Sequence, residues 1–224
     1  WKTAICNLDL SMRKPANFTL SSPIMPGHPP KQMPFLKFPY FLLTIGWLLL
    51  SIKPVLADFD SGLAAYERGD FKTAAKEWRP AASKGDPHVQ HMLGFLYARG
   101  RGVPLSSEQT VKLWRQAANQ GFAPAQYTLG TLYREGLGVK QNMDKAAHWI
   151  SRAADAGYPD AQYDYGVMHV TGEGVEKDLS MAFMWIGLAA ETRDIEPDRM
   201  WQTIDKLLTP AQRLEADKLK KDWK

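Results

Sequence analysis

The chain has 224 residues, 45% of them hydrophobic and 23% charged, which suits one folded unit or a short repeat array. A formal charge of +4 invites a nucleic-acid or membrane-surface reading, but the basicity is local. Residues 1–57 hold six bases (Lys2, Arg13, Lys14, Lys31, Lys37, Lys53) against Asp9 alone, whereas 58–224 carry 22 Lys and Arg against 23 Asp and Glu, which argues against nucleic acid as partner.

Residues 1–57 read as a leader. FPYFLLTIGWLLLSI (38–52) is fifteen residues without a charge, with Lys37 before it and Pro54 then Val55-Leu56-Ala57 after it. That is the order of a secretory signal peptide, and the run is shorter than the roughly 20 residues a spanning helix needs. The expectation is a signal peptide at 33–57, cleaved after Ala57, with translation starting at Met33 and 1–32 a mis-assigned start. The mature chain is then periplasmic or secreted, with no membrane contact; an uncleaved run would make it an inner-membrane anchored protein. The only cysteine, Cys6, lies in the leader, so the exported part has no disulfide.

Next, FDSGLAAYERGDFKTAAKEWRPAASKG (59–85) predicts a helical hairpin over 58–86 with a tight Gly69-Asp70 turn. Beyond it the sequence repeats with a period of 36. Gly85, Gly121 and Gly157 are in step, as are Gly94, Gly130 and Gly166, Gly100, Gly136 and Gly172, and Gly102, Gly138 and Gly174. Val103, Val139 and Val175 keep the same interval, as do Gln90, Gln126 and Gln162, and Leu113, Trp149 and Trp185.

Each unit reads as two helices. In AQYTLGTLYREG, Ala125, Leu129, Leu132 and Tyr133 fall at helical spacing and Gly136 sits where a C-terminal cap wants positive φ. Asn142 is placed as N-cap of the second helix, whose Ala146, Trp149, Ile150, Ala153 and Ala154 form one apolar stripe. Gly130 inside the first helix costs about 1 kcal/mol relative to Ala. Its recurrence predicts close approach to the Ala-rich second helix. Stacked antiparallel pairs of this kind make an all-α solenoid. Residues 192–224 leave the period; Thr209 as N-cap, Pro210 and Gln212 predict a charged C-terminal helical cap.

The pattern A-x-x-x-L-G-x-L-Y-x-x-G-x-G-V followed by A-x-x-W-x-x-x-A-A-x-x-G resembles the Sel1-like repeat, a relative of the tetratricopeptide repeat with a longer inter-helix loop. Residues 123–157 match best; 87–121 has Leu113 in the usual Trp slot with Trp114 beside it, and 159–191 has His169 where Tyr97 and Tyr133 stand. The 58–86 hairpin resembles a tetratricopeptide unit. The resemblance implies three repeats over 87–191 and a secreted or periplasmic binding scaffold. It also implies a concave groove lined by first-helix side chains.

The chemistry-bearing patterns are thin. GRGV, GLGV and GEGV each follow a helix, so they read as turns and not as phosphate loops, which follow a strand. His88 and His91 have metal-compatible spacing, yet their slots hold Pro124, Asp160, Tyr127 and Tyr163 in the other units; no metal or cofactor is expected. Ser-x-x-Lys occurs once, at Ser11–Lys14 in the leader, without Lys-Thr-Gly or Gly-x-Ser-x-Gly. A non-catalytic adaptor of the bacterial envelope is therefore the expectation, with a protein or peptide as partner. The alternatives are a cell-wall-active or penicillin-binding hydrolase and a membrane-anchored assembly factor. Counting from the helical glycine, positions −3, +1 and +5 should face the groove: His91, Phe95 and Arg99, then Tyr127, Thr131 and Glu135, then Tyr163, Val167 and Thr171. The three glutamines should hydrogen-bond within their repeats.

Overall fold

The computed structural model describes residues 55–193 and 199–223, and among them every regular element is a helix. In chain order these are α1 (Val55–Glu67), α2 (Phe71–Ser83), α3 (Pro87–Arg99), α4 (Ser107–Asn119), α5 (Ala123–Glu135), α6 (Met143–Asp155), α7 (Pro159–Thr171), α8 (Leu179–Arg193), α9 (Arg199–Leu207) and α10 (Pro210–Trp223). The leader read at 1–54, with its apolar run, lies outside the described residues; 55–57 form the first turn of α1. Among the described residues no helix is long and apolar enough to cross a membrane.

Helices pair in sequence, and each pair packs on the next, giving an α-solenoid; α9 and α10 both close against α8. The core is accordingly a chain of clusters. One joins the first hairpin to α3 and α4, one runs from α3 through α8, and one seals α8 against the last two helices.

Local chemistry sets the helix ends. Asp70, Ser106 and Asn142 each accept from a backbone N–H three residues on, at Thr73, Gln109 and Lys145, as N-caps do. Prolines open α3, α5 and α7, where the missing N–H costs nothing. Gly100, Gly136 and Gly172 end them in the left-handed region. At α10 the expected capping box is formed: Gln212 N–H donates to Thr209 Oγ1, and Thr209 N–H donates back to Gln212 Oε1.

The helical glycines are where two helices touch. A Cβ on Gly130 would stand 2.6 Å from Ile150 Cγ1 and 3.2 Å from the Ala146 carbonyl oxygen, and Gly166 meets Ile186 and Ala182 in the same way. At Gly94 the obstacle is Trp114, whose indole Nε1 would lie 2.2 Å away. Trp114 thus occupies the slot of Ile150 and Ile186 and is not a shifted copy of Trp149. Gly62 faces Trp78 at the same 2.2 Å, and both indoles donate to the carbonyl three residues before their glycine, at Phe59 and His91. The first hairpin is therefore a shortened member of the series, with three residues between its helices where α3 and α4 have seven.

The glutamines correct one expectation. Gln90, Gln126 and Gln162 donate through Nε2 to the carbonyls of Ala82, Ala118 and Ala154, in the preceding unit. They lock each pair to its predecessor across the boundary, because the first helix begins on the exposed carbonyls ending the previous one. Gln120 Nε2 completes Gln90 Oε1 at 2.9 Å, and Thr192 Oγ1 stands 3.2 Å from Gln162 Oε1. The matching position in the middle unit is Ala156, and Gln126 Oε1 is buried without a partner among the described residues. A buried orphan acceptor costs about 1–3 kcal/mol. Ala156→Gln is therefore expected to stabilise the protein by about 1 kcal/mol, or roughly 2–4 °C in Tm. Calorimetry checks it, and no gain in the Ala156→Leu control is expected.

Candidate functional site

The first helices α3, α5 and α7 lie side by side, and one hydrogen bond repeats between them. His91 Nε2 lies 3.2 Å from Thr128 Oγ1, and Tyr127 Oη donates to Asp164 Oδ2 at 3.1 Å. In both cases position −3 of one unit meets position −2 of the next. Thr128 gives its own proton to the Pro124 carbonyl at 2.7 Å, so His91 must be the donor and is neutral, protonated on Nε2. Burial, with His88 adding repulsion, holds its pKa at about 3.

The second rung is charged. Arg134 Nη1 binds the same Asp164 oxygen at 2.7 Å, and Glu135 approaches Arg134 Nε at 3.4 Å. Burial opposes the guanidinium charge, but Asp164 beside it more than compensates and raises its pKa. Burial, followed by the Asp164 charge, pushes the Tyr127 phenol above its ordinary value. Tyr158 packs on Tyr127 with ring centroids 5.4 Å apart. The result is a fixed, partly exposed patch carrying a phenol, two carboxylates and a guanidinium across α5 and α7.

The nine residues expected to face a groove divide by burial. His91 and Phe95 are 3% and 2% exposed and Thr131 is buried too, so these three serve packing and present no surface. His91 and Phe95 are driven inward by Trp114 and by Phe122, the residue before α5, whose rings enclose them. Arg99, Tyr127, Tyr163 and Val167 are half-buried, and Glu135 and Thr171 are exposed. Arg99 lies over the Phe95 ring, 5.6 Å from its centroid. Sequence reasoning missed Thr128, Arg134 and Asp164. The signal lay in the 36-residue register, where Asp164 aligns with Met92 and Thr128, and Arg134 with Ala98 and Val170. A charged residue in one copy of an otherwise uncharged slot marks a copy-specific role.

His88 and His91 do not converge, since His88 is exposed and packs on Phe122 while His91 points to Thr128. Among the described residues no group of three or more His, Cys, Asp or Glu could hold a metal ion. His169, buried in a tyrosine slot, sits with Nδ1 3.1 Å from the Glu176 carbonyl, tying the α7–α8 loop to its helix.

The Sel1 repeat matches residues 87–122, 123–158 and 159–191. Among solved structures, a Sel1 repeat protein from Oxalobacter formigenes is similar at 31% identity, with a TM-score of 0.58 over 60% of this chain, and the match spans 55% of that protein's length. A protective antigen of uropathogenic Escherichia coli strains with an SLR fold matches at 25% identity and a TM-score of 0.47, over 76% of this chain and 45% of that one. No curated protein matches.

Proposed function

We propose that this chain, which carries three Sel1 repeats, is a non-catalytic scaffold that binds a protein or peptide in the bacterial envelope. Sel1 repeat chains are generally protein-interaction scaffolds. The observation that supports the reading most is the Tyr127–Asp164–Arg134–Glu135 patch, fixed between two repeats and still partly open to solvent. Binding there needs little ordering, since the side chains already hold one another. Tyr163, Val167 and Thr171 extend the same face with mixed apolar and polar contacts, and Arg99 continues it on the other side. The apolar run at 38–52 supports an envelope location.

Crosslinked pull-down from the envelope fraction, with the full chain as bait, tests this. Changing the charge of the face with Glu135→Lys plus Thr171→Glu is expected to reduce recovery of the main partner about tenfold, as the loss of charge pairs at interfaces does. Asp217→Lys on α10 should leave it unchanged. Equal loss from both variants, or reproducible turnover of a chromogenic β-lactam or of peptidoglycan fragments, would overturn the reading.

A further inference from the structure

The opposite side of the array carries a feature that the proposed binding face does not use. Three depressions follow one another along the second helices. The first, between α2 and α4, is edged by Arg79, Lys84 and Lys112 above Leu93 and Leu113. The next shares Lys112 and adds Arg115 and Glu108 over Val111 and Val139. The third shares Arg115 and adds Lys140 and Lys145. Six exposed cations therefore border one path across three consecutive helix pairs, and Glu108 is the single carboxylate on it.

None of the six forms an ion pair among the described residues. Arg115 donates instead to Tyr133 Oη at 3.2 Å, and Lys145 Nζ stands 5.4 Å from the centre of the same ring. Tyr133 thereby holds two of the charges in place from neighbouring units. A chain body with slightly more acids than bases does not by composition alone line one path with six cations and a single carboxylate.

The path also says what fits it. Among its cations Val139 is the half-buried apolar side chain, Leu93, Val111 and Leu113 lie buried beneath them, and glutamine amides at Gln109 and Gln116 stand beside them. The nearly neutral body supplies no long-range attraction for nucleic acid or an anionic membrane, so the local cations suit a short acidic ligand. We infer that this path docks an extended acidic segment of a partner protein.

Fluorescence anisotropy of the full chain with a labelled octapeptide of alternating glutamate and leucine tests the inference. Binding is expected, weakening at least about tenfold when the glutamates become glutamines and again as ionic strength rises past the point where the Debye length falls below about 8 Å. Lys112→Glu plus Arg115→Glu should cost at least about tenfold, and Arg79→Ala plus Lys84→Ala about threefold. Circular dichroism should show both variants folded, since all four residues are exposed. Asp217→Lys, on α10 and away from the path, should leave the affinity unchanged. Three results would overturn the inference: equal binding of the glutamine peptide, insensitivity to the Lys112/Arg115 reversal, or tighter reversal-sensitive binding of a short oligothymidylate or of phosphatidylglycerol vesicles.

Discussion

Replacing Gly102 by alanine is expected to lower stability by about 3–5 kcal/mol, or roughly 10 °C in Tm, although the residue is exposed. Two costs combine. Its φ of +69° lies in the left-handed region, which costs an alanine about 1–2 kcal/mol. The added Cβ would also stand 2.2 Å from the Phe71 carbonyl carbon and 2.5 Å from Lys72 N, backbone atoms at the start of α2. No rotamer change relieves that overlap. The loop must lift from the preceding hairpin, taking Val103, 7% exposed, out of the cluster it shares with Trp78 and Leu96. Gly100→Ala is the control. Its φ of +62° is just as left-handed, but its Cβ would meet only Leu105, at 3.1 Å. It should cost about 1–2 kcal/mol. Thermal unfolding of both variants separates strain from contact, and equal losses would show that the loop does not carry the inter-repeat seam.

The same loop shows how far the sequence could be read. The glycines at 100, 136 and 172 announce themselves as helix stops, because a stop needs only local geometry. Gly102 and Gly174, two residues after such stops, are explained by a neighbour in the preceding unit: Phe71 at Gly102 and the Met143 carbonyl, 2.3 Å from a Cβ on Gly174. Periodicity marks such positions but does not say what lies across from them. The helix pairs, the caps and the glycine contacts between paired helices follow from periodicity and composition within one unit. The Gln90, Gln126 and Gln162 bonds and the His91–Thr128 and Tyr127–Asp164 rungs run between units, and a pattern read one copy at a time does not contain them. That is why position −3 reads as groove-facing in the sequence. In the fold it is tied to the next helix, and a copy-specific charge such as Asp164 is what distinguishes a partly open rung from a closed one.

His91 makes one of those rungs sensitive to acid. Its folded pKa of about 3 lies below the ordinary 6.5, so between these values the unfolded chain binds a proton that the folded chain refuses. Stability therefore rises with pH through this window, is complete above about 6.5, and drains away as pH falls toward 3. Between pH 7 and pH 5 the loss is about 2 kcal/mol. Nothing around the ring can accept the charge. Phe95 on its own helix, Trp114 on α4, Phe122 before α5 and Thr128 on α5 surround it, and the nearest titratable group, His88, is itself basic. Asp70, whose pKa its hydrogen bonds with Thr73 lower, loses its contribution only as pH falls from the ordinary carboxylate value near 4, below the range from pH 7 to pH 5. His91→Gln keeps a donor in place for Thr128 and removes the titration. Its melting temperature should be nearly flat from pH 7 to pH 5 where that of the parent falls by several degrees. Parallel profiles would place the acid sensitivity elsewhere and would mean that the α3–α5 seam opens readily enough to hydrate the imidazole.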